Sequence, residues 1–109
     1  MTKITSKEEL VNYISSEDAL LIYFSGENCS VCTALKPKIN REISKKFPKI
    51  KLFEVQADKY KEIASNFSVF SIPTILVFFD SKEFKRYGRN ISISLFSQEI
   101  KRPYTLFME

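Results

Sequence analysis

The sequence predicts an α/β domain built on a central mixed sheet flanked by helices. Through the first half, short apolar runs alternate with segments whose apolar residues recur at helical spacing, the pattern of strands crossed over by helices. A turn-separated pair of strand-like runs follows, so a hairpin completes the sheet. The apolar run that ends at Phe24 leads through a polar loop into Cys29-Ser30-Val31-Cys32, which sets two thiols at a strand-to-helix junction. At 109 residues, 44% of them hydrophobic, residues 1–109 suffice for one domain with its own core.

Taken in order, Ser6-Lys7-Glu8-Glu9 has the form of a capping box, and Leu10, Val11 and Ile14 follow at helical spacing, so a first helix is expected over about Lys7 to Ile14. Ala19 to Phe24 is apolar throughout and predicts a strand buried on both faces. Val31, Leu35, Ile39, Ile43 and Phe47 recur every four residues and mark a long amphipathic helix that contains Pro37 and is closed by Pro48. Ile50 to Val55 predicts a second strand, after which Asp58 is the expected N-cap of a short helix carrying Tyr60, Ile63, Ala64 and Phe67. Thr74 to Phe79 is a third apolar strand, Asp80-Ser81-Lys82 a turn, and Glu83 to Tyr87 the antiparallel partner. Asn90 to Lys101 is expected to form a last helix that Pro103 stops, with an apolar tail packed behind it.

Charge and composition narrow the function classes. The 17 basic residues, against 13 acidic ones, are spread from Lys3 to Arg102 and form no stripe, so nucleic acid is not an expected partner. No apolar run approaches the roughly 20 residues of a membrane span, and no membrane partner is expected. Lys7, Glu8 and Glu9 interrupt any signal-peptide core near the start, which makes the cytoplasm the expected location.

The chemistry is concentrated in Cys29 and Cys32, the only cysteines in a chain without histidine. A bridge across so short a loop barely constrains the unfolded chain, so a purely structural disulfide explains little. At the first turn of a helix, unpaired amides and the positive end of the helix dipole stabilise a thiolate, and Cys29 is expected to titrate below the roughly 8.5 of a free thiol. Cys29 is then the candidate nucleophile and Cys32 the candidate resolving thiol. The competing readings are a pair of inert buried thiols, and half of a metal site completed by a second chain, since zinc and iron-sulfur sites need more Cys or His ligands than one chain supplies.

Phe24 before the loop, the Cys29 to Cys32 motif, Pro37 five positions beyond it, Ile72-Pro73-Thr74 opening a strand, and Gly88 after the hairpin together resemble the thioredoxin family over essentially the whole chain. That resemblance implies a thioredoxin-like three-layer fold and thiol-disulfide oxidoreductase activity on disulfide-containing proteins, with no bound cofactor. It implies a cis Ile72-Pro73 bond facing the dithiol, with the backbone of Ile72 free to pair with an extended substrate segment. Asn28 and Gly88 are expected to border the same substrate surface. A reductase or glutathione is the expected electron donor, and a monomer the expected state. The chain departs from the family's pattern at Ser30-Val31, where Gly-Pro is usual, and at Asn28, where tryptophan is usual. Tyr23 replaces a buried aspartate, and Glu54 replaces the lysine that pairs with it.

Two readings of Glu54 are open at this point. One is a solvent-facing acid on an edge strand; the other is a catalytic carboxyl behind Cys32 whose pKa, raised by burial, lets it take the resolving thiol's proton. Tyr23 is expected in the core, with a hydroxyl that needs a partner. Phe67, Phe70, Phe78, Phe79 and Phe84 are expected to be core and sheet packing. Besides an oxidoreductase, the sequence admits a thioredoxin-fold binding module without turnover, and a dimer sharing a metal cluster.

Overall fold

The computed structural model describes residues 1–109. Its elements run β1 (Thr2–Lys3), α1 (Lys7–Ser16), β2 (Ala19–Ser25), α2 (Ser30–Lys46), β3 (Lys51–Gln56), α3 (Lys61–Asn66), β4 (Thr74–Phe79), β5 (Lys82–Tyr87) and α4 (Ile93–Met108). The strands lie in the order β1-β3-β2-β4-β5. β3 pairs in parallel with both β1 and β2, whereas β4 runs antiparallel to β2 and β5 antiparallel to β4.

Alternation along the central strands separates two cores. Leu21, Tyr23, Ile75 and Val77 pack with Leu35, Ile39 and Ile43 of α2 and Phe96 and Ile100 of α4. On the other face Leu20, Ile22, Phe24, Leu76 and Phe78 pack with Leu10 of α1 and Ile63 and Ala64 of α3. Successive side chains of a strand point to opposite faces, so a run as apolar as Ala19 to Phe24 demands helices on both sides. The result is the three-layer arrangement that the sequence predicts.

Several local expectations are corrected. β1 carries no sequence signal: both its residues are exposed, and it exists through its pairing with Phe53 and Glu54. β3 is therefore not an edge strand. α1 begins as expected, with the Ser6 hydroxyl accepting from the Glu9 amide at 3.1 Å, and runs on to Ser16. Asp58 does not cap α3; its carboxylate accepts from the Glu27 amide at 3.0 Å, and Tyr60 holds the N-cap position without a side-chain bond.

Pro103 does not stop the last helix, which continues to Met108. The missing amide costs α4 one backbone bond, but Phe96, Ile100, Pro103 and Tyr104 form one buried stripe that holds the helix against the sheet. The Tyr104 hydroxyl also accepts from the Lys49 amide at 3.2 Å, and Lys49 Nζ donates to the Met108 carbonyl at 2.8 Å. Phe78 and Phe79 are core, as expected, and Phe67 packs against Phe24 and Phe78. Phe70 and Phe84 are not core: Phe84 is partly open on β5 with its edge against Phe79, and Phe70 stands almost wholly in solvent. No helix is long and apolar enough to cross a membrane.

Candidate active site

The register of the sheet assembles the site. Phe24 lies opposite Thr74, so Ile72-Pro73, immediately before β4, comes alongside the loop that follows β2. The contact is close enough that a Cβ on Gly26 would sit 2.6 Å from Ile72 Cδ1, so the end of that side chain would have to turn aside. The Ile72-Pro73 peptide is cis, as the resemblance implies. Asn28 takes a left-handed conformation with φ 54°, which asparagine tolerates better than most residues, and this turns the chain into α2.

Cys29 is the N-cap of α2. Its Sγ accepts the Cys32 amide at 3.2 Å, and its carbonyl accepts the Thr33 amide at 3.1 Å and the Thr33 hydroxyl at 3.2 Å. The two cysteines are joined as a disulfide with their Cα atoms 5.3 Å apart. Cys29 is half-buried in an open depression bordered by Asn28, Ser30, Thr33 and Ala34, whereas Cys32 is 3% exposed. A partner sulfur therefore has access to Cys29 and not to Cys32.

Behind the disulfide lies Tyr23, fully buried, whose hydroxyl donates to the Cys32 carbonyl at 2.7 Å. Burial, together with the negative charge of Glu54, pushes its pKa up to about 12, so the phenol stays a neutral donor. Glu54 sits on the same face of the sheet and under α2. Its carboxylate accepts from Lys36 Nζ at 2.7 Å and from the Ser25 hydroxyl at 2.9 Å.

The expectation of a raised pKa for Glu54 is overturned. Burial does pull it up, but the bonds from Lys36 and Ser25 and the charges of Lys36 and Lys3 outweigh burial, and the net shift is downward. Lys36 escapes sequence reasoning because it lies on α2, 18 residues before Glu54, and nothing in the sequence links the two. The solvent-facing alternative is also wrong, since the Glu54 side chain is only 12% exposed.

Gly88 directly follows β5, with no atom within 4 Å of where its Cβ would be. Beside it Arg89 reaches back, its Nη2 3.4 Å from the Ile72 carbonyl. Cys29, Cys32, Asn28, Ile72 and Pro73 thus gather at one end of the sheet, Gly88 borders them, and Glu54 lies one layer behind.

Comparison with known proteins agrees with this geometry. The family model described as Thioredoxin matches residues 1–102. The chain is 37% identical over 107 residues to the thioredoxin-like protein YdfQ of Bacillus subtilis, covering 98% of this chain and 95% of that one. It is 33% identical over 86 residues to a thioredoxin of Chlamydia trachomatis, covering 79% and 82% respectively. The crystal structure of oxidised mitochondrial thioredoxin 3 from Saccharomyces cerevisiae superimposes with a TM-score of 0.82 at 25% identity, over 93% of each chain.

Proposed function

The chain belongs to the thioredoxin family, and from that premise we propose that Cys29 and Cys32 carry out its thiol-disulfide oxidoreductase activity, residues 1–109 acting as one domain. The observation that carries this assignment is the asymmetry of the pair: Cys29 caps a helix and is partly exposed, while Cys32 is shielded one turn further in.

In the reduced protein the Cys29 thiolate attacks one sulfur of a target disulfide. A mixed disulfide forms, and the other target sulfur leaves as a thiolate and takes up a proton. Cys32, having lost its proton, then attacks Cys29 Sγ, which closes the Cys29–Cys32 bridge and releases the second target thiolate. Two electrons pass to the target, and the disulfide seen here is the oxidised end of that cycle. A reductase or glutathione returns the electrons.

Ile72 and Pro73 supply the docking edge for the target segment, with Asn28 and Gly88 at its margins. Glu54 contributes a fixed carboxylate behind the site and not a base of raised pKa. The substrates are disulfide-containing proteins, the working form is a monomer, and the setting is a reducing cytoplasm, where the dithiol is regenerated.

The test is covalent trapping. Cys32→Ser accumulates mixed disulfides with a disulfide-containing protein such as insulin, and Cys29→Ser does not. Absence of any mixed disulfide in the first variant, with no reduction of insulin by the native protein, removes the proposal and favours a binding module. Zinc or colour in the purified protein instead favours the shared cluster.

A further inference from the structure

Phe70 is the most exposed of the large apolar side chains, at 84%. It stands two residues before Ile72, and with Ile72, Val69, Ala57 and Ala64 it lines a recess of about 340 Å³. An aromatic ring left in water beside a docking strand offers apolar area that an incoming side chain would cover.

The backbone of Ile72 also meets a cation. Arg89 is exposed, its Nη2 lies against the Ile72 carbonyl, and no carboxylate pairs with it. The ion pairs in the structure are Lys36–Glu54, Lys46–Glu42, Lys85–Glu99 and Arg86–Glu83. Nearby Arg86 is fully occupied, by Glu83 and by the carbonyls of Phe67 and Ser68. A target amide that pairs with the Ile72 carbonyl brings its flanking side chains beside this guanidinium. Only Nη2 of Arg89 is engaged there, and the rest of its guanidinium is a planar fork suited to a carboxylate.

We propose that Arg89 and Phe70 set the substrate preference of the dithiol, selecting an extended disulfide-bearing segment with an acidic side chain over Arg89 and a large apolar side chain against Phe70. This rests on the oxidoreductase reading above and on Ile72 as the docking edge. The electron balance is that of the exchange already described, since the two side chains act on binding alone.

The experiment compares kcat/KM of the full-length protein for matched disulfide peptides, with Asp or Asn, and Leu or Ser, at positions flanking the reacting cysteine. At low ionic strength the best-placed Asp is preferred over Asn by about threefold, the scale of an exposed ion pair, and the preference fades with added salt. Arg89→Gln brings that ratio to unity, Arg89→Glu inverts it, and Phe70→Ser abolishes the preference for Leu over Ser. Ratios near unity in the native protein, or ratios that the variants do not move, overturn the proposal while leaving the oxidoreductase reading intact. Failure to reduce either the peptides or the small neutral hydroxyethyl disulfide sinks both.

Discussion

The Tyr23 hydroxyl donates a 2.7 Å hydrogen bond to the carbonyl of Cys32, tying the resolving cysteine to the middle of the sheet. Tyr23→Phe removes that donor from a fully buried position and is expected to cost about 1 kcal/mol of stability, measured by denaturant unfolding of the oxidised protein. The pH dependence has a definite sign. Because the folded pKa is raised from 10.0 to about 12, the unfolded chain loses the phenolic proton first, and stability falls as pH rises through that window. Tyr23→Phe therefore flattens the alkaline limb of the stability profile. Tyr87, whose pKa is also raised by burial and by Glu99, keeps part of the slope.

Accessibility and helix capping point to the same thiol. In the reduced protein iodoacetamide is expected to label Cys29 well before Cys32, because Cys29 caps the helix, where a thiolate is favoured, whereas Cys32 is 3% exposed. Mass spectrometry of partly alkylated protein reads the order directly. Faster labelling of Cys32 would reverse the two roles.

The ion pair between Lys36 and Glu54 makes a prediction opposite to that of a raised-pKa base. Lys36→Met removes the strongest opposition to burial, so the Glu54 pKa, followed by NMR, moves upward. In the native protein the depressed pKa means that the unfolded chain takes up the proton first in acid. The stabilisation is complete above the ordinary glutamate range and is lost as pH falls through the folded value. With a carboxylate already ionised, the ratio of Glu54→Gln to native rates for the resolving step stays constant between about pH 6 and 9. A ratio that converges on unity at alkaline pH restores the base.

Gly26 and Ile72 are coupled through one methyl group. Gly26→Ala places a Cβ 2.6 Å from Ile72 Cδ1 and displaces the docking side chain, slowing exchange with protein disulfides. Ile72→Val deletes that methyl. The double variant should recover what Gly26→Ala loses, with a coupling on the order of 0.5 kcal/mol or more in a double-mutant cycle of unfolding energies. Strict additivity would show that the crowding is relieved elsewhere.

The parts of the fold that were legible in the sequence are those with a local cause. Ala19 to Phe24 is apolar at every position, and Leu35, Ile39 and Ile43 repeat at one helical turn, so their burial follows from composition and period. What escaped depends on partners distant in the chain. β1 is held by Phe53 and Glu54, α4 outlasts Pro103 because its stripe meets the sheet and Lys49, and the charge state of Glu54 is fixed from α2 by Lys36. Phe70 departs from expectation for a different reason: an aromatic residue signals an interior only on average, and this one is 84% exposed.

The atom that caps α2 is also the atom proposed to be oxidised and reduced again in every cycle. Cys29 Sγ accepts the Cys32 amide while bonded to Cys32, when it is an uncharged and weak acceptor. As a thiolate it accepts the same amide with a full negative charge, and hydrogen bonds to an ionised acceptor are roughly twice as strong as neutral ones. Reduction is therefore expected to strengthen the bond that caps the first turn of the helix. The Cys32 amide becomes a spectator that reports the redox state, and its hydrogen-deuterium exchange should be slower in the dithiol form than in the disulfide form.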